Sequence, residues 1–319
     1  MPLLKLVPDN TNLDFMRWRN VALTLSLIVT IGSIILVLVR GLNLGVDFVG
    51  GQMIRATFTQ AAPIEDVRAR IAALGVGDAN IQEFGDPKTL SIRMGLPQGG
   101  EEAANAVGSR IRTTISQKYP DAVFAVDTVS GKVSSELYRS GALAIALSML
   151  GIAIYIWFRF EWQFGVGALT TLFHDVSVTM GFFALTQLEF NLNVVAAILT
   201  IVGYSLNDTV VIYDRIRENL RKYRKMETIP LLNLSLNETL SRTIVTSLSI
   251  MIALLTLLLL GPEVIFGLTI AILLGIFVGT YSSIYISAPI LVWLKVGPDS
   301  FLSRSANVGE RVTSQNEGY

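Results

Sequence analysis

Two charged side chains stand inside apolar stretches that are long enough to cross a bilayer. Asp208 lies in the stretch at 192–213, and Arg242 lies in the next one. A charge at the centre of a membrane helix costs about 2.5–3.5 kcal/mol, so it normally faces a bundle interior or a water-filled path and carries function. On consecutive antiparallel helices, this acid and this guanidinium could pair, and a proton on the carboxylate would break the pair. The structural alternative is a static pair that fixes helix register.

His174 and Asp175 form a second polar pair in the middle of an apolar stretch. Histidine titrates near neutral pH and carboxylates can pass protons, so one interpretation is a proton relay. The other is structural, with Asp175 bonded to a neighbouring helix and His174 a satisfied interior histidine. Both interpretations stay open at the level of sequence.

The sequence contains no motif of a familiar enzyme. It has no GxxxxGK[ST] phosphate loop, no HExxH and no GxSxG, which argues against ATP hydrolysis and common protease chemistries. With no cysteine and one histidine it offers no disulfide framework or thiolate metal site, and we expect neither a metal nor a cofactor. Any work must then be driven from outside the chain or by an ion gradient, which supplies about 2.3 kcal/mol per proton for each 100 mV.

The composition is that of an integral membrane protein. Of 319 residues, 51% are hydrophobic and 16% are charged, and the mean hydropathy is +0.55. The 25 lysine and arginine residues equal the 25 aspartate and glutamate residues in number. This balance gives no sign of a nucleic-acid partner.

Six apolar stretches predict six transmembrane helices, at 21–39, 140–158, 164–187, 192–213, 235–260 and 264–294. The fifth is predicted to begin at an S-x-x-E capping box at 235–238. Basic residues occur in the segment 1–20, at Arg159 and in the loop 214–234, whereas 188–191 and 261–263 contain none. The positive-inside rule therefore places both termini, including the tail 295–319, in the cytoplasm.

Some polar and small residues near the span ends are expected to be structural. Glu189, Asn191 and Asn193 fall at the outer ends of two spans, where we expect ordinary loop solvation. Gly275 and Gly279 form a G-x-x-x-G pattern, which favours close helix packing but indicates no particular partner helix. The span that holds these glycines exceeds one bilayer crossing, so it should tilt, bend or project.

Residues 41–139 predict a soluble α+β domain between the first two spans, on the external side of the membrane. Alternating patterns predict strands at 52–59, 79–84, 89–94 and 122–129, and helical spacing predicts helices at 63–74 and 101–118. Gly85 and Pro87 predict a turn between the second and third strands. The order βαββαβ is the ferredoxin-like pattern, an antiparallel sheet with two helices on one face.

Across residues 14–295 the chain resembles the SecF family of bacterial protein-export membrane proteins. The resemblance rests on several stretches taken together: DFMRWR at 14–19, GVDFVGG at 45–51, HD at 174–175, GYSLNDTV at 203–210, YDRIREN at 213–219 and SRTIVTS at 241–247. It implies a bacterial inner-membrane protein that forms one six-helix half of an assembly related to the resistance-nodulation-division (RND) exporters. The other half of that assembly is SecD.

The resemblance implies transport rather than enzyme activity. In this family SecD and SecF, embedded in membrane lipids, join the SecYEG channel and use the proton-motive force to assist translocation of unfolded preproteins on the periplasmic side. Asp208 and Arg242 match the family's proton-pathway residues, and the resemblance suggests neighbours on that pathway: Asn207, Asp175 and His174. Two alternatives stay open, half of a proton-coupled RND-type exporter of small molecules or lipids and a structural scaffold of the channel. Coupling to sodium instead of protons also stays open.

Overall fold

The computed structural model describes residues 11–77, 79–84, 86–95, 97 and 99–297. The predicted segment 1–10, the turn residue Gly85 and the tail from 298 onward lie outside the described residues. The helices are α1 (Arg19–Arg40), α2 (Val46–Val49), α3 (Ile64–Ala73), α4 (Gly100–Ser116), α5 (Gly131–Arg159), α6 (Trp162–Thr186), α7 (Leu192–Lys222), α8 (Thr228–Leu260), α9 (Phe266–Ser282) and α10 (Ala288–Trp293). The strands are β1 (Gly51–Thr57), β2 (Ala79–Phe84), β3 (Asp86–Met94) and β4 (Val123–Val129).

Six helical segments of the described chain are long and apolar enough to cross a membrane, which confirms the predicted fold class. They are α1 with the short 3₁₀ turn Phe15–Trp18, then α5, α6, α7 and α8, and finally α9 with its continuation through α10. Large apolar side chains such as Leu38, Val39 and Phe158 are exposed on the outer surface, as contact with lipid requires. The helices α6 and α7 are the most buried spans, so they form the centre of the bundle.

Several helices extend past the apolar stretches that predict them. α5 begins at Gly131 rather than at 140, and the Ser130 side chain caps it by accepting a hydrogen bond from the Val133 amide at 3.4 Å. α7 continues to Lys222 and α8 begins at Thr228, so helix occupies most of the predicted basic loop. Hydropathy marks only the part of a helix that suits hydrocarbon, whereas a helix ends where its backbone groups find capping partners.

The capping box predicted at 235–238 is wrong. α8 begins at Thr228, and Ser235 lies inside it, where its hydroxyl donates to the Leu231 carbonyl at 2.9 Å. Glu238 accepts a hydrogen bond from Arg215 of α7 at 2.7 Å. The pattern misleads because serine in a helix interior can bond the carbonyl four residues back, and glutamate can pair across helices.

The domain between α1 and α5 has the predicted ferredoxin-like topology. Its sheet has the strand order β2-β3-β1-β4, and each neighbouring pair is antiparallel. In the central pair Ile54 lies opposite Ile92, and both side chains are fully buried. α3 and α4 cover this face of the sheet with residues such as Ile71 and Ile111.

The segment between α1 and β1 is bonded to the connection between α6 and α7. The Gly45 amide donates to the Phe190 carbonyl at 2.9 Å, and the Phe190 amide donates to the Asn43 carbonyl at 2.8 Å. Gly50 and Gly51 then have φ angles of 77° and 130°, in the region that favours glycine. The glycine pair therefore lets the chain turn from the membrane bundle into β1.

The last span contains a widened turn, and its glycines pack against α7. Gly275 and Gly279 both abut α7, and a Cβ on Gly279 would stand 3.1 Å from that of Ser205. Beyond them Ser283–Ser287 forms a π-helical turn, and α10 follows with Pro289 in its first turn. Proline supplies no backbone donor and crowds the preceding turn, which accounts for the break in regular α-helix.

Candidate functional site

Three polar residues of α7 share one buried helical face. Ser205, Asp208 and Thr209 have the spacing i, i+3 and i+4, which aligns their side chains. All three are buried, and Asp208 is only 3% exposed. α7 begins after Asn191, whose side chain accepts a hydrogen bond from the Val194 amide at 3.3 Å and so caps the helix. The cap and the apolar remainder of α7 hold this polar face inside the bundle.

The carboxylate of Asp208 is incompletely bonded. Its Oδ2 atom is buried without a hydrogen-bond partner in the described part of the chain. Arg242 and Ser247, both on α8, lie close enough to interact electrostatically with this carboxyl. Arg242 is exposed on the surface of α8, and no ion pair joins it to Asp208 among the described residues. This conformation therefore keeps the two predicted partners apart while leaving them electrostatically coupled.

A chain of hydroxyl groups runs beside Asp208 across three helices. The Tyr204 hydroxyl, one turn from Asp208 on α7, lies 3.0 Å from Ser247 Oγ of α8. Ser247 Oγ in turn lies 2.8 Å from Thr280 Oγ1 of α9. Hydroxyl groups can both donate and accept, so this chain can reorient when the charge of a neighbouring carboxyl changes.

Asp175 is a fully bonded carboxylate where α6, α7 and α9 meet. It is 1% exposed, and its Oδ2 accepts hydrogen bonds from Ser205 Oγ at 2.5 Å and from Ser282 Oγ at 2.9 Å. His174 Nδ1 lies 2.9 Å from the other carboxylate oxygen. The structure thus brings His174 and Asp175 together and connects them to the polar face of α7 through Ser205. These bonds fit the structural interpretation, and they also make a polar connection toward Asp208.

The π-helical turn adds further polar contacts to α7. Thr209 Oγ1 lies 3.0 Å from Ser283 Oγ, and the Tyr213 hydroxyl donates to the Ser287 carbonyl at 3.4 Å. Tyr213 is 1% exposed, and its ring lies edge-on to Phe164 of α6 with centroids 5.0 Å apart. These contacts hold the C-terminal half of α7 between α6 and the end of the last span.

Asn207 lies outside this buried cluster. It is exposed on a face of α7 that the described chain leaves open. Gly203, one turn earlier, also faces open space, with no atom within 4 Å of a Cβ position. A polar side chain at membrane depth normally faces protein or water rather than lipid. The described chain therefore leaves this polar face of α7 open to water or to another protein.

The hydroxyl residues that complete the cluster were not predicted from the sequence. Single serine and threonine residues are common in membrane helices, where they often bond only their own backbone, so each one carries little signal. Within the described ranges, no three histidine, aspartate or glutamate side chains form a group that could hold a metal ion. The missed residues are Tyr204, Ser205, Ser247, Thr280, Ser282 and Ser283.

Comparison with known proteins identifies relatives over nearly the whole chain. Residues 111–297 match the family described as protein export membrane protein SecD/SecF, C-terminal, and residues 35–62 match the SecD/SecF GG motif. The protein translocase subunit SecF of Rickettsia rickettsii is 45% identical over 290 residues, which cover 90% of this chain and 94% of that protein. The SecF subunit of Cereibacter sphaeroides is 43% identical over 300 residues, which cover 92% and 93% of the two chains.

Solved structures of SecDF share the fold. The crystal structure of SecDF from Thermus thermophilus, a translocon-associated membrane protein, matches 91% of this chain with a TM-score of 0.83 at 32% identity. SecDF in a super-membrane-facing form matches 92% with a TM-score of 0.67 at the same 32% identity. The match spans 40% of the length of each SecDF chain. Six membrane helices, an inserted ferredoxin-like domain and these relatives together establish that the chain belongs to the SecF translocase subunits of the SecD/SecF protein-export family.

Proposed function

We propose that this chain joins a SecD partner and the SecYEG channel and uses the proton-motive force to assist translocation of unfolded preproteins. It lies in the bacterial inner membrane with both termini in the cytoplasm and the ferredoxin-like domain in the periplasm. The distribution of basic residues supports this orientation. The open face of α7 around Asn207 supports a partner with membrane helices of its own, as SecD would have. The proton gradient is the energy source, and no cofactor takes part.

The observation that carries proton coupling is the incompletely bonded carboxylate of Asp208. If this residue only fixed helix register, a complete ion pair with Arg242 would be the stable arrangement. Instead, Oδ2 of Asp208 is buried without a hydrogen bond in the described chain. An ionised carboxylate in such surroundings is unfavourable, so the group either binds a proton or draws in a cation. Asp208 is therefore suited to change its charge.

Proton exchange at Asp208 would move α7 relative to α8. The ionised carboxylate attracts Arg242, whereas the protonated form loses that attraction. Ser247, which acts on the carboxyl and bonds Tyr204, would exchange donor and acceptor roles as the charge changes. Because Ser205 bonds α7 to Asp175 of α6, a displacement of α7 would reach the other helices of the bundle.

The gradient supplies enough energy for such a change. Each proton that crosses the membrane releases about 2.3 kcal/mol per 100 mV. Two conformations of a protein commonly differ by only a few kcal/mol, so one or two protons can shift the population between them. α5 and the segment after α1 run directly into the ferredoxin-like domain, and they would transmit the motion to the emerging preprotein.

Replacement of Asp208 by asparagine tests this proposal. Asp208→Asn keeps the size of the side chain but cannot titrate. In proteoliposomes that contain SecD and SecYEG, we expect preprotein translocation under an imposed proton gradient to fall to the rate without a gradient, while complex assembly is unchanged. Asp214→Asn is the matched control on the same helix, because Asp214 is partly exposed and pairs with Arg159 at 2.9 Å. This control should keep the gradient response.

The alternatives give different results in the same system. Full gradient stimulation in Asp208→Asn would refute proton coupling at this residue. That result would favour the scaffold function, in which export is impaired only when the whole subunit is lost. Transport of a dye or lipid without SecYEG would support the exporter alternative, and stimulation by a sodium gradient alone would identify sodium as the coupled ion.

A further inference from the structure

Glu189, in the connection between α6 and α7, is buried rather than solvated. It is 6% exposed, and neither carboxylate oxygen has a hydrogen-bond partner among the described residues. The loop solvation predicted from the sequence is therefore wrong for this residue. A buried polar group without a partner is unfavourable, and more so if it is charged, so the state of this carboxyl requires an explanation.

The charges that surround Glu189 already balance without it. Arg55 of β1, Arg93 of β3 and Asp127 of β4 project from the sheet face opposite α3 and α4, and Asp47 of α2 completes the set. Two cations thus face two anions. An ionised Glu189 would add an unbalanced negative charge at a position that is itself buried from solvent.

Both arginines of the cluster are bonded to other groups. The Arg93 guanidinium donates to the Asn43 side chain and to the Leu44 carbonyl, and Arg55 pairs with Asp127. No ion pair joins either guanidinium to the Glu189 carboxyl within the described chain. The contacts of Arg93 hold the sheet of the ferredoxin-like domain on the segment that follows α1.

Glu189 lies directly against that same segment. A Cβ on Gly45 would stand 2.6 Å from Glu189 Oε1, so the carboxyl packs directly against the backbone of Gly45. The adjacent Phe190 exchanges backbone hydrogen bonds with Asn43 and Gly45. A cavity of about 260 Å³, lined on the domain side by Glu83, opens beside Glu189 and offers a route for water and protons.

We propose that Glu189 is a proton-binding site at the base of the ferredoxin-like domain, separate from Asp208, and that its proton controls how firmly this domain is docked. In the docked arrangement the carboxyl is protonated and uncharged. When the proton leaves, the carboxylate requires a cation, and Arg93 is positioned to turn toward it. The hydrogen bonds from Arg93 to Asn43 and Leu44 then break, and the sheet loses these contacts with the segment after α1.

The expected pH dependence follows from burial. Burial raises the pKa of the Glu189 carboxyl above its ordinary value of 4.5, and the nearby Arg93 opposes this increase. The docked arrangement therefore binds the proton more tightly than an arrangement in which the carboxyl is solvated. Docking is strongest below the ordinary value and weakens as the pH rises through the raised pKa.

Distance measurements between spin labels test the proposal. The chain has no cysteine, so labels can be attached to cysteines introduced at Thr113 on α4 and Val264 before α9, both exposed. In lipid nanodiscs with SecD, we expect one narrow distance at acidic pH and a second, longer distance toward neutral pH. Glu189→Gln resembles the protonated carboxyl and should keep the narrow distance throughout. Glu83→Gln, an exposed residue of the same cavity, is the matched control and should behave as the wild type does.

Two outcomes overturn the proposal: a wild-type distance that does not change with pH, or a Glu189→Gln variant that changes as the wild type does. Infrared difference spectroscopy of the wild type gives a second measurement. A titrating band of a protonated carboxyl that is absent from Glu189→Gln and present in Asp208→Asn supports the proposal, and a band independent of Glu189 overturns it. Because Asp208→Asn leaves this site intact, failure of the proposed function and failure of this inference give different results.

Discussion

Replacement of Asp175 separates a structural carboxylate from a proton relay. The hydroxyls of Ser205 and Ser282 and the ring of His174 contact this carboxylate at 2.5, 2.9 and 2.9 Å. A hydrogen bond inside a membrane contributes about 0.6 kcal/mol on average and about 1.7 kcal/mol at most. Loss of three such contacts in Asp175→Ala should therefore lower the free energy of unfolding by about 2–5 kcal/mol. Asp175→Asn keeps an acceptor oxygen and the side-chain volume, so it should cost roughly 1 kcal/mol.

Equilibrium unfolding of the full chain in lipid bicelles measures these differences. Ser249→Ala is the matched control, because within the described chain its exposed hydroxyl bonds only the Val245 carbonyl of its own helix, at 2.7 Å. The control should change the free energy of unfolding by about 0.5 kcal/mol or less. An Asp175→Ala chain as stable as this control would refute the inference that the carboxylate joins three helices.

The same variants decide between the two roles of Asp175 in export. Its carboxylate is fully bonded, so we expect a structural role, and Asp175→Asn should keep gradient-stimulated translocation. Loss of stimulation to the level of Asp208→Asn, with unchanged stability, would instead assign Asp175 to the proton path.

Two further predictions concern packing and surface charge. Gly279→Leu should press α9 away from α7 and lower the free energy of unfolding by about 1–3 kcal/mol. Gly203 faces open space, so Gly203→Leu should leave the free energy of unfolding nearly unchanged. Equal effects of the two variants in unfolding assays would contradict the helix contact at Gly279. The Arg70 and Lys118 side chains hold the pKa of the Asp66 carboxyl well below its ordinary value of 3.8. The stabilisation by this surface cluster is complete above that value and is lost as the pH falls below it. In acid titrations followed by circular dichroism, the ferredoxin-like domain of Asp66→Asn should therefore lose less stability than that of the wild type. An unchanged acid response in this variant would contradict the assignment.

The elements of the fold were predictable because their signals are strong and local. Apolar stretches of bilayer length identify six spans, and period-two alternation identifies strands such as β2, whose observed bounds Ala79–Phe84 equal the predicted ones. Helix ends were less predictable, since α8 begins at Thr228 rather than at the capping box around Ser235. Where a helix ends depends on contacts with other helices, which a local pattern does not contain.

The candidate site was predictable only in part, and for a similar reason. A charged residue in an apolar helix is conspicuous, so Asp208 and Asp175 could be selected from the sequence. The serine hydroxyls that bond Asp175 have no comparable signal, because the same residue type is common on lipid-facing helices. Glu189 was misjudged, because a glutamate in a short connection is normally solvated, whereas here charged side chains of a domain distant in the chain surround it and it is buried.

The widened turn Ser283–Ser287 sets the direction in which the residues around it face. In a regular helix of 3.6 residues per turn, Ser282 and Ser287 point to different sides, because five residues exceed one full rotation by a large angle. A π-helical turn bonds each residue to the fifth one along, so these two positions come into line. One extra residue in the turn thus lets a single span bond the Asp175 carboxylate through the Ser282 hydroxyl and the Tyr213 hydroxyl through the Ser287 backbone carbonyl. Deleting one residue within the turn would restore the ordinary winding and swing one of the two groups out toward lipid.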